Sequence, residues 1–320
     1  MPRRRKTAFE WLENKLRVLL PPNTNELAAV AKHVYYEINY WSLLKLIFVA
    51  SYIYEVYGKI ITRFFGENLF YIDLMCNSGI NKLKIKETSK ECDFVLGSPL
   101  IGAASNLPFR KMYFIDNKKE NIDALKMRLE KLKEEPLFSK INALPICEDS
   151  NSAVDKIISE ITGYENYHCL AFVDNQGMDV HWKTIEKLLN IRCDLIINYP
   201  TSEIKRARGQ ARVFKHQDLI DFFGDDVVKL GVDEDRLLDF YKTKLCSSDR
   251  VCEDIKIKGT KSFYYNLIVC CRRTRSGNPF LKRVQYEKSQ IEKLTPELVK
   301  NALDQVKGRI KKLCDFNNQT

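Results

Sequence analysis

Four short apolar runs in the chain give way to an aspartate. The first leads into Asp73-Leu74-Met75-Cys76-Asn77-Ser78-Gly79, and the second closes on Asp116 after Met112-Tyr113-Phe114-Ile115. The third leads to Asp149-Ser150-Asn151 and the fourth to Asp174-Asn175-Gln176-Gly177. In the first segment, Asn77 and Ser78 keep a turn narrow and Gly79 lets backbone approach a ligand closely. With one glycine it is a weak form of the GxGxxG nucleotide pattern, and it also suits an ordinary strand-end turn. Asp116 can accept both hydroxyls of a ribose, or cap the helix that follows it. Asp149 can accept from an adenine amino group, or serve as a cap or turn residue ahead of an apolar helix. Asp174 can accept a hydrogen bond from a substrate amine or bind a cationic cofactor; as half of an Asp-Asn pair it also suits a turn. Asn198-Tyr199-Pro200 closes a fifth apolar run beside that place. Tyr199 there can stack on a base or sit at the edge of a core.

These residues need strands to present them. Leu69–Met75, Met112–Ile115, Ile141–Ile146, Leu170–Val173 and Asp194–Ile197 read as buried strands. Gly97–Ser105, Lys118–Lys133, Ser152–Thr162 and His181–Leu189 read as the helices between them. Strands separated by helices imply a parallel sheet covered on both faces, with ligands at the carboxyl ends of the strands. Glu253–Ile257 and Ser262–Cys271 then read as a hairpin around Lys258-Gly259-Thr260-Lys261. Five alternating units followed by a hairpin predict an α/β fold: the doubly wound, mostly parallel sheet of the class I methyltransferase type, with a terminal antiparallel hairpin. The expected organisation is an N-terminal helical extension over 1–64, the sheet domain over 65–275 with a helical insertion at 201–248, and a basic helical tail over 276–320. Within these, Phe9–Leu20 reads as a short amphipathic helix, and Asn25–Ile61 reads as helix from its three- and four-residue apolar steps. Asp235–Lys244 and Glu297–Lys312 also read as helices.

Several segments resemble the three-Cys-motif partner family, whose fold is similar to that of S-adenosylmethionine-dependent methyltransferases. They are Lys32-His33, Tyr71-Ile72-Asp73 with Gly79, Gly97-Ser98-Pro99-Leu100, Phe114-Ile115-Asp116, Phe172-Val173-Asp174 with Gly177 and Trp182, and Ile197-Asn198 with Arg206. They span roughly residues 30–225. Gly97-Ser98-Pro99-Leu100 together with the first turn is the most specific part. The resemblance implies S-adenosylmethionine as cofactor, held by Asp73, Cys76, Asn77, Ser78, Gly79, Asp116, Asp149, Ser150 and Asp174. It implies methyl transfer with Asp174, Asn175 and Asn198 at the reacting centre, and a protein partner of the three-Cys-motif type. The chain departs from the family in two places. Leu74-Met75-Cys76-Asn77-Ser78-Gly79 stands where the family has a turn close to Gly-Phe-Ala-Gly-Pro-Gly, and Asp174-Asn175 stands where it has Asp-Pro. A sulfonium methyl is already activated, so such an enzyme mainly aligns donor and acceptor and excludes water. No Pro-Cys occurs in the chain, which argues against C5-pyrimidine methylation. An exocyclic amine or a ribose hydroxyl suits Asp174 better.

Charge points to the acceptor. Lys+Arg 52 against Asp+Glu 42 leaves a net +10 over 320 residues, and the excess is clustered. Lys205, Arg206, Arg208, Arg212 and Lys215 follow the fifth strand with no acid among them, and so should border the cleft and grip phosphates. Arg272, Arg273, Arg275, Lys282 and Arg283 form a second cluster, and Lys307, Arg309, Lys311 and Lys312 a third. Each cluster also suits a solvated helix or loop face. RNA is favoured over DNA as partner. A hydrophobic share of 45% is ordinary for a globular chain. Lys45 and Glu55 interrupt the most apolar stretch, Trp41–Tyr57, so no membrane span is expected. The N-terminus carries no apolar signal core and the ten cysteines show no CxxC spacing. A cytoplasmic protein with reduced thiols is expected; in an oxidising interior the candidate disulfide is Cys246–Cys252. His33, His168, His181 and His216 are too dispersed for a metal site. Two rivals stand beside a methyltransferase: a non-catalytic nucleic-acid-binding subunit with the same fold, and an enzyme that transfers the aminocarboxypropyl group of the same cofactor.

Overall fold

The computed structural model describes residues 7–84, 93–204, 216–229, 234–246, 249–274 and 278–309. Its centre is a seven-stranded sheet. In spatial order the strands are β6 (Ala143–Cys147), β5 (Phe109–Asp116), β2 (Leu69–Leu74), β7 (His168–Val173), β8 (Cys193–Tyr199), β10 (Tyr264–Arg272) and β9 (Arg250–Lys258). The first five are mutually parallel. β10 is antiparallel to both of its neighbours, so β9 again runs with the others. The chain winds outward from β2 to β5 and β6, then returns to β7. The order therefore reverses between β2 and β7, and a cleft opens there at the carboxyl ends. This is the class I methyltransferase arrangement that five alternating units and a hairpin predict.

β2 and β7 are buried on both faces, which is why they read as continuous apolar runs. Alternate residues feed two cores. Leu69, Tyr71, Phe114, Leu170, Phe172, Ile196, Leu267 and Val269 face one helical layer. Its helices are α1 (Ala8–Leu16), α3 (Ser42–Ser51) with the π-helical stretch Tyr52–Ile61, α5 (Ser98–Ala103), α6 (Lys119–Lys133), α11 (Pro279–Ile291) and α12 (Pro296–Val306). Phe70, Ile72, Ala171, Val173, Leu195 and Ile197 face the other, formed by α7 (Ser150–Thr162), α8 (Trp182–Leu189), α9 (His216–Phe223) and α10 (Glu234–Cys246). The first and last of the described helices meet where α1 packs on α12. Thr7 and Glu10 start α1 with a capping box, and Thr295 with Pro296 starts α12.

The sequence reading of residues 25–61 as continuous helix is corrected. Helix α2 (Thr24–Val30) stops, His33 turns left-handed at φ 77°, and β1 (Tyr36–Ile38) follows before α3. Val30, Val34 and Ile38 keep helical spacing, but Arg128 on α6 takes the carbonyls of Ala31 and Val34 that a helix would use. β1 instead pairs in parallel with β3 (Ile80–Leu83), which forms a hairpin with β4 (Phe94–Leu96) in a separate three-stranded sheet. That hairpin leaves and returns at one point: the Gly97 amide donates to the Gly79 carbonyl at 2.7 Å, and a Cβ on Gly97 would lie 3.0 Å from the same oxygen. The segment expected as a basic helical tail contains, besides α12, the helix α11, whose buried Phe280, Val284 and Ile291 give it an apolar face. Among the described residues, no helix is long and apolar enough to cross a membrane.

Candidate active site

The first turn exposes less of itself than its sequence suggested. Asp73 is fully buried, and its Oδ2 accepts from the Tyr71 hydroxyl at 3.4 Å. Burial holds its carboxyl well above the usual range, against hydrogen bonds from Ser98 and Tyr71. Cys76 was expected among the cofactor residues, but its side chain is turned into the core, where burial also raises the thiol. Ser78 points inward as well, its hydroxyl donating to the Val34 carbonyl at 3.1 Å. Gly79 is left-handed at φ 82°, and a Cβ there would lie 2.8 Å from Leu125 and 2.9 Å from Leu100. It is therefore required by helix packing rather than by the approach of a ligand. Met75 and Asn77, both left-handed at φ 72° and 55°, are the only residues from Asp73 to Gly79 that reach the surface.

Asp116 joins this turn to the next strand. Its Oδ2 accepts the Asn77 amide at 3.0 Å; its Oδ1 accepts the Lys118 amide at 2.9 Å and the Asn121 side chain at 3.0 Å. A carboxylate has about four lone-pair sites, so these three bonds leave one. Asp149 caps α7, accepting the amides of Asn151 and Ser152 with Oδ1. Asp116, Asp149 and Ser150 together line a cavity of about 680 Å³, closed by Met75, Met178 and His181. That volume lies within the range of about 300–1,000 Å³ typical of small-molecule sites.

A second cavity, of about 190 Å³, lies across the switch point. At its base Asp174 Oδ1 accepts from the Lys45 ammonium at 2.5 Å and from Asn198 Nδ2 at 3.0 Å. Asn198 Nδ2 also donates to the Asn175 carbonyl at 2.8 Å. Asn175 was expected at the reacting centre but is turned inward, its Oδ1 accepting the Val180 amide at 3.1 Å. It positions the loop after β7. Two side-chain atoms of residues lining this cavity, Asn175 Nδ2 and Asn198 Oδ1, are buried with no hydrogen-bond partner among the described residues. Buried polar atoms ordinarily find partners, so such a pair fits a polar ligand. Lys45 is the residue that sequence reasoning missed. It stood out only as a charge interrupting an apolar helix, and that charge is what reaches 129 positions along the chain to Asp174.

Tyr199 does not offer a face to a base. It is 1% exposed and packed among Phe222, Phe223 and Tyr241, with ring centroids 5.4–6.2 Å away. Lys205, Arg206, Arg208, Arg212 and Lys215 lie outside the described residues. The described part of the tail cluster is engaged: Lys307 and Arg309 both bind Asp93, just ahead of β4. Against the upward push of burial, these two cations hold the Asp93 carboxyl below the usual range. Arg272 ends the antiparallel β10 and Arg273 follows it, so both sit at the end of the sheet opposite the cleft. Cys246 and Cys252 are free thiols.

No protein-family model matches the chain, and no curated protein sequence matches it. Among solved structures, the chain is similar to protein LPL1258 of the DUF519 family from Legionella pneumophila. That match has 12% identity and a TM-score of 0.48, and covers 79% of this chain and 93% of that one. An O-methyltransferase from Bacillus cereus in complex with SAH matches at 11% identity and a TM-score of 0.40, covering 85% and 94%. The small RNA methyltransferase HEN1 matches at 10% identity and a TM-score of 0.44, covering 72% of this chain and 26% of that one. Likeness at this distance carries neither a reaction nor a substrate to this chain.

Proposed function

We propose that the chain is an S-adenosylmethionine-dependent methyltransferase acting on nucleic acid, RNA in preference to DNA, at an exocyclic amine or a ribose hydroxyl. The observation that carries the proposal is the pair of cavities flanking the switch point of a sheet of this order. The larger, with Asp116, Asp149 and Ser150, has the size and the acceptors for a nucleoside. The smaller, with Asp174 and Asn198, has an acceptor for the hydrogen of an attacking amine or hydroxyl. When bound, the cofactor supplies a methyl group already activated on a sulfonium. The rest falls to the chain. Asp116 and Asp149 orient the nucleoside, Lys45 and Asn198 fix the Asp174 carboxylate, and Asp174 orients the acceptor. The basic run Lys205–Lys215, directly after β8, supports a polyanionic acceptor. In this reading the chain is a relative of the three-Cys-motif partner family.

A non-catalytic binding subunit is the second reading. It draws on Asp116, three of whose acceptor sites are occupied within the chain, and on a first turn that turns Cys76 and Ser78 inward. Incubation with labelled S-adenosylmethionine and total RNA, followed by product mass, separates the readings. One added carbon per acceptor supports methyl transfer, and a four-carbon amino acid fragment supports aminocarboxypropyl transfer. RNA that is bound but left unmodified by a protein that takes up no S-adenosylmethionine supports the binding subunit.

A further inference from the structure

The smaller cavity has a wall chemistry that its base does not require. Tyr36 on β1, Trp41, Phe263 and Tyr264 line it, contributed by the small sheet and the start of α3 on one side and the β9–β10 hairpin on the other. Trp41 and Phe263 meet across it with ring centroids 6.0 Å apart. Cations stand at the same mouth. Lys84 lines it, and the Lys256 ammonium lies 3.9 Å from the centre of the Tyr264 ring. The lining also includes Glu37 and Glu203, and Glu37 lies 4.0 Å from Lys82. Tyr36 is 40% exposed. Burial raises its hydroxyl, and the charges of Asp174 and Glu203 add to the effect.

Size restricts what can enter. At about 190 Å³ the cavity is smaller than the roughly 300–1,000 Å³ of sites that take drug-sized ligands. It has room for one flat ring system, leaving sugar and phosphate outside beside the lysines. A base enters such a space only when unpaired and unstacked. Aromatic faces joined to cations on a backbone path are the means by which single strands are held without sequence readout. We infer that this rim, made by Tyr36, Tyr264, Lys84 and Lys256, is a stacking mouth for one unpaired base of single-stranded RNA. Duplexes are excluded unless they first flip a base. The inference rests on the nucleic-acid reading above and restricts it to single strands, loops or ends.

The test is fluorescence anisotropy with a labelled 12-nucleotide RNA of mixed sequence and its blunt duplex, without cofactor. The single strand is expected to bind more tightly. Tyr36→Ala and Tyr264→Ala should each weaken it roughly 5- to 150-fold, the range for losing one stacked base. Tyr36→Phe, which keeps the ring, should restore wild-type affinity, so misfolding cannot imitate the result. Lys84→Ala and Lys256→Ala should each lower the slope of log affinity against log salt by about 0.7. Wild-type affinity in both tyrosine-to-alanine variants, or a duplex bound as tightly as the single strand, overturns the inference even if RNA is methylated. Conversely, a wild type that grips the single strand through the rim yet transfers no methyl group leaves the mouth standing and overturns the enzymatic reading.

Discussion

Arg128→Ala is the substitution whose effect the structure defines most fully. Arg128 is 0% exposed, and its guanidinium donates to four carbonyls: Leu27 at 3.0 Å, Ser78 at 2.6 Å, Ala31 at 3.1 Å and Val34 at 2.7 Å. It thereby ties the segment before β1 to the first turn of the cleft. Burial alone lowers its pKa to about 10, so holding the charge there carries a cost that the four bonds must offset. Ala31 and Val34 are partly exposed, so water can replace the guanidinium at their carbonyls. Leu27 and Ser78 are buried, so theirs cannot be rescued that way. Two orphaned acceptors cost about 2–6 kcal/mol, and the lost stem leaves a cavity. Relief of the buried charge offsets part, leaving a net loss of about 3–5 kcal/mol, the usual size for breaking a buried polar network. A chain of 320 residues unfolds with about 0.7 kcal/mol/K of entropy, so Tm should fall by about 4–8 °C. Calorimetry measures this directly, and S-adenosylmethionine affinity should fall with it because Ser78 belongs to the first turn. A Tm within 1 °C of wild type with unchanged cofactor affinity would refute the reasoning.

Gly79→Ala should cost about 2–6 kcal/mol, combining left-handed strain with overlap against Leu100 and Leu125; denaturant midpoints measure it, and a neutral result means the helices can move aside. His168, buried beside Tyr57 and Asp194, has its pKa lowered by burial, so the unfolded chain binds its proton first as pH falls. Stability should therefore drop below about pH 6.5, by up to about 1.4 kcal/mol per pH unit from this group, and His168→Gln should flatten that slope. Identical slopes in wild type and variant would remove His168 from the account. Asp174→Ala should abolish transfer while RNA still binds, and a variant that turns over at the wild-type rate would displace Asp174 from the reacting centre.

The centre of the sheet was legible because β2 and β7 are buried on both faces and announce themselves as apolar runs, whereas the edge strand β6, expected as a buried run, keeps no residue fully buried. The hairpin was legible from Lys258-Gly259-Thr260-Lys261 between two such runs. Residues 25–61 were not, because helical spacing of Val30, Val34 and Ile38 says nothing of Arg128, 97 and 94 positions beyond the Ala31 and Val34 carbonyls that it claims. The site was legible at the strand ends, where Asp116, Asp149, Asp174 and Asn198 line the cavities. It was misread wherever the direction of a side chain decided the outcome. Tyr199 and Cys76 sit at the expected positions but face the cores. Lys307 and Arg309 looked like free cations because their partner, Asp93, lies more than two hundred residues earlier. Lys45 was visible only as an oddity, since an ion pair across 129 positions leaves no local signature.

The central claim is that the larger cavity holds S-adenosylmethionine, and titration calorimetry of that cofactor into the wild-type chain tests it most directly. The account predicts saturable one-to-one binding that Asp116→Ala weakens by roughly 10- to 150-fold, the loss of one charge-assisted hydrogen bond. A folded wild-type protein that takes up no S-adenosylmethionine, or an Asp116→Ala variant that binds it as tightly as the wild type, would contradict it.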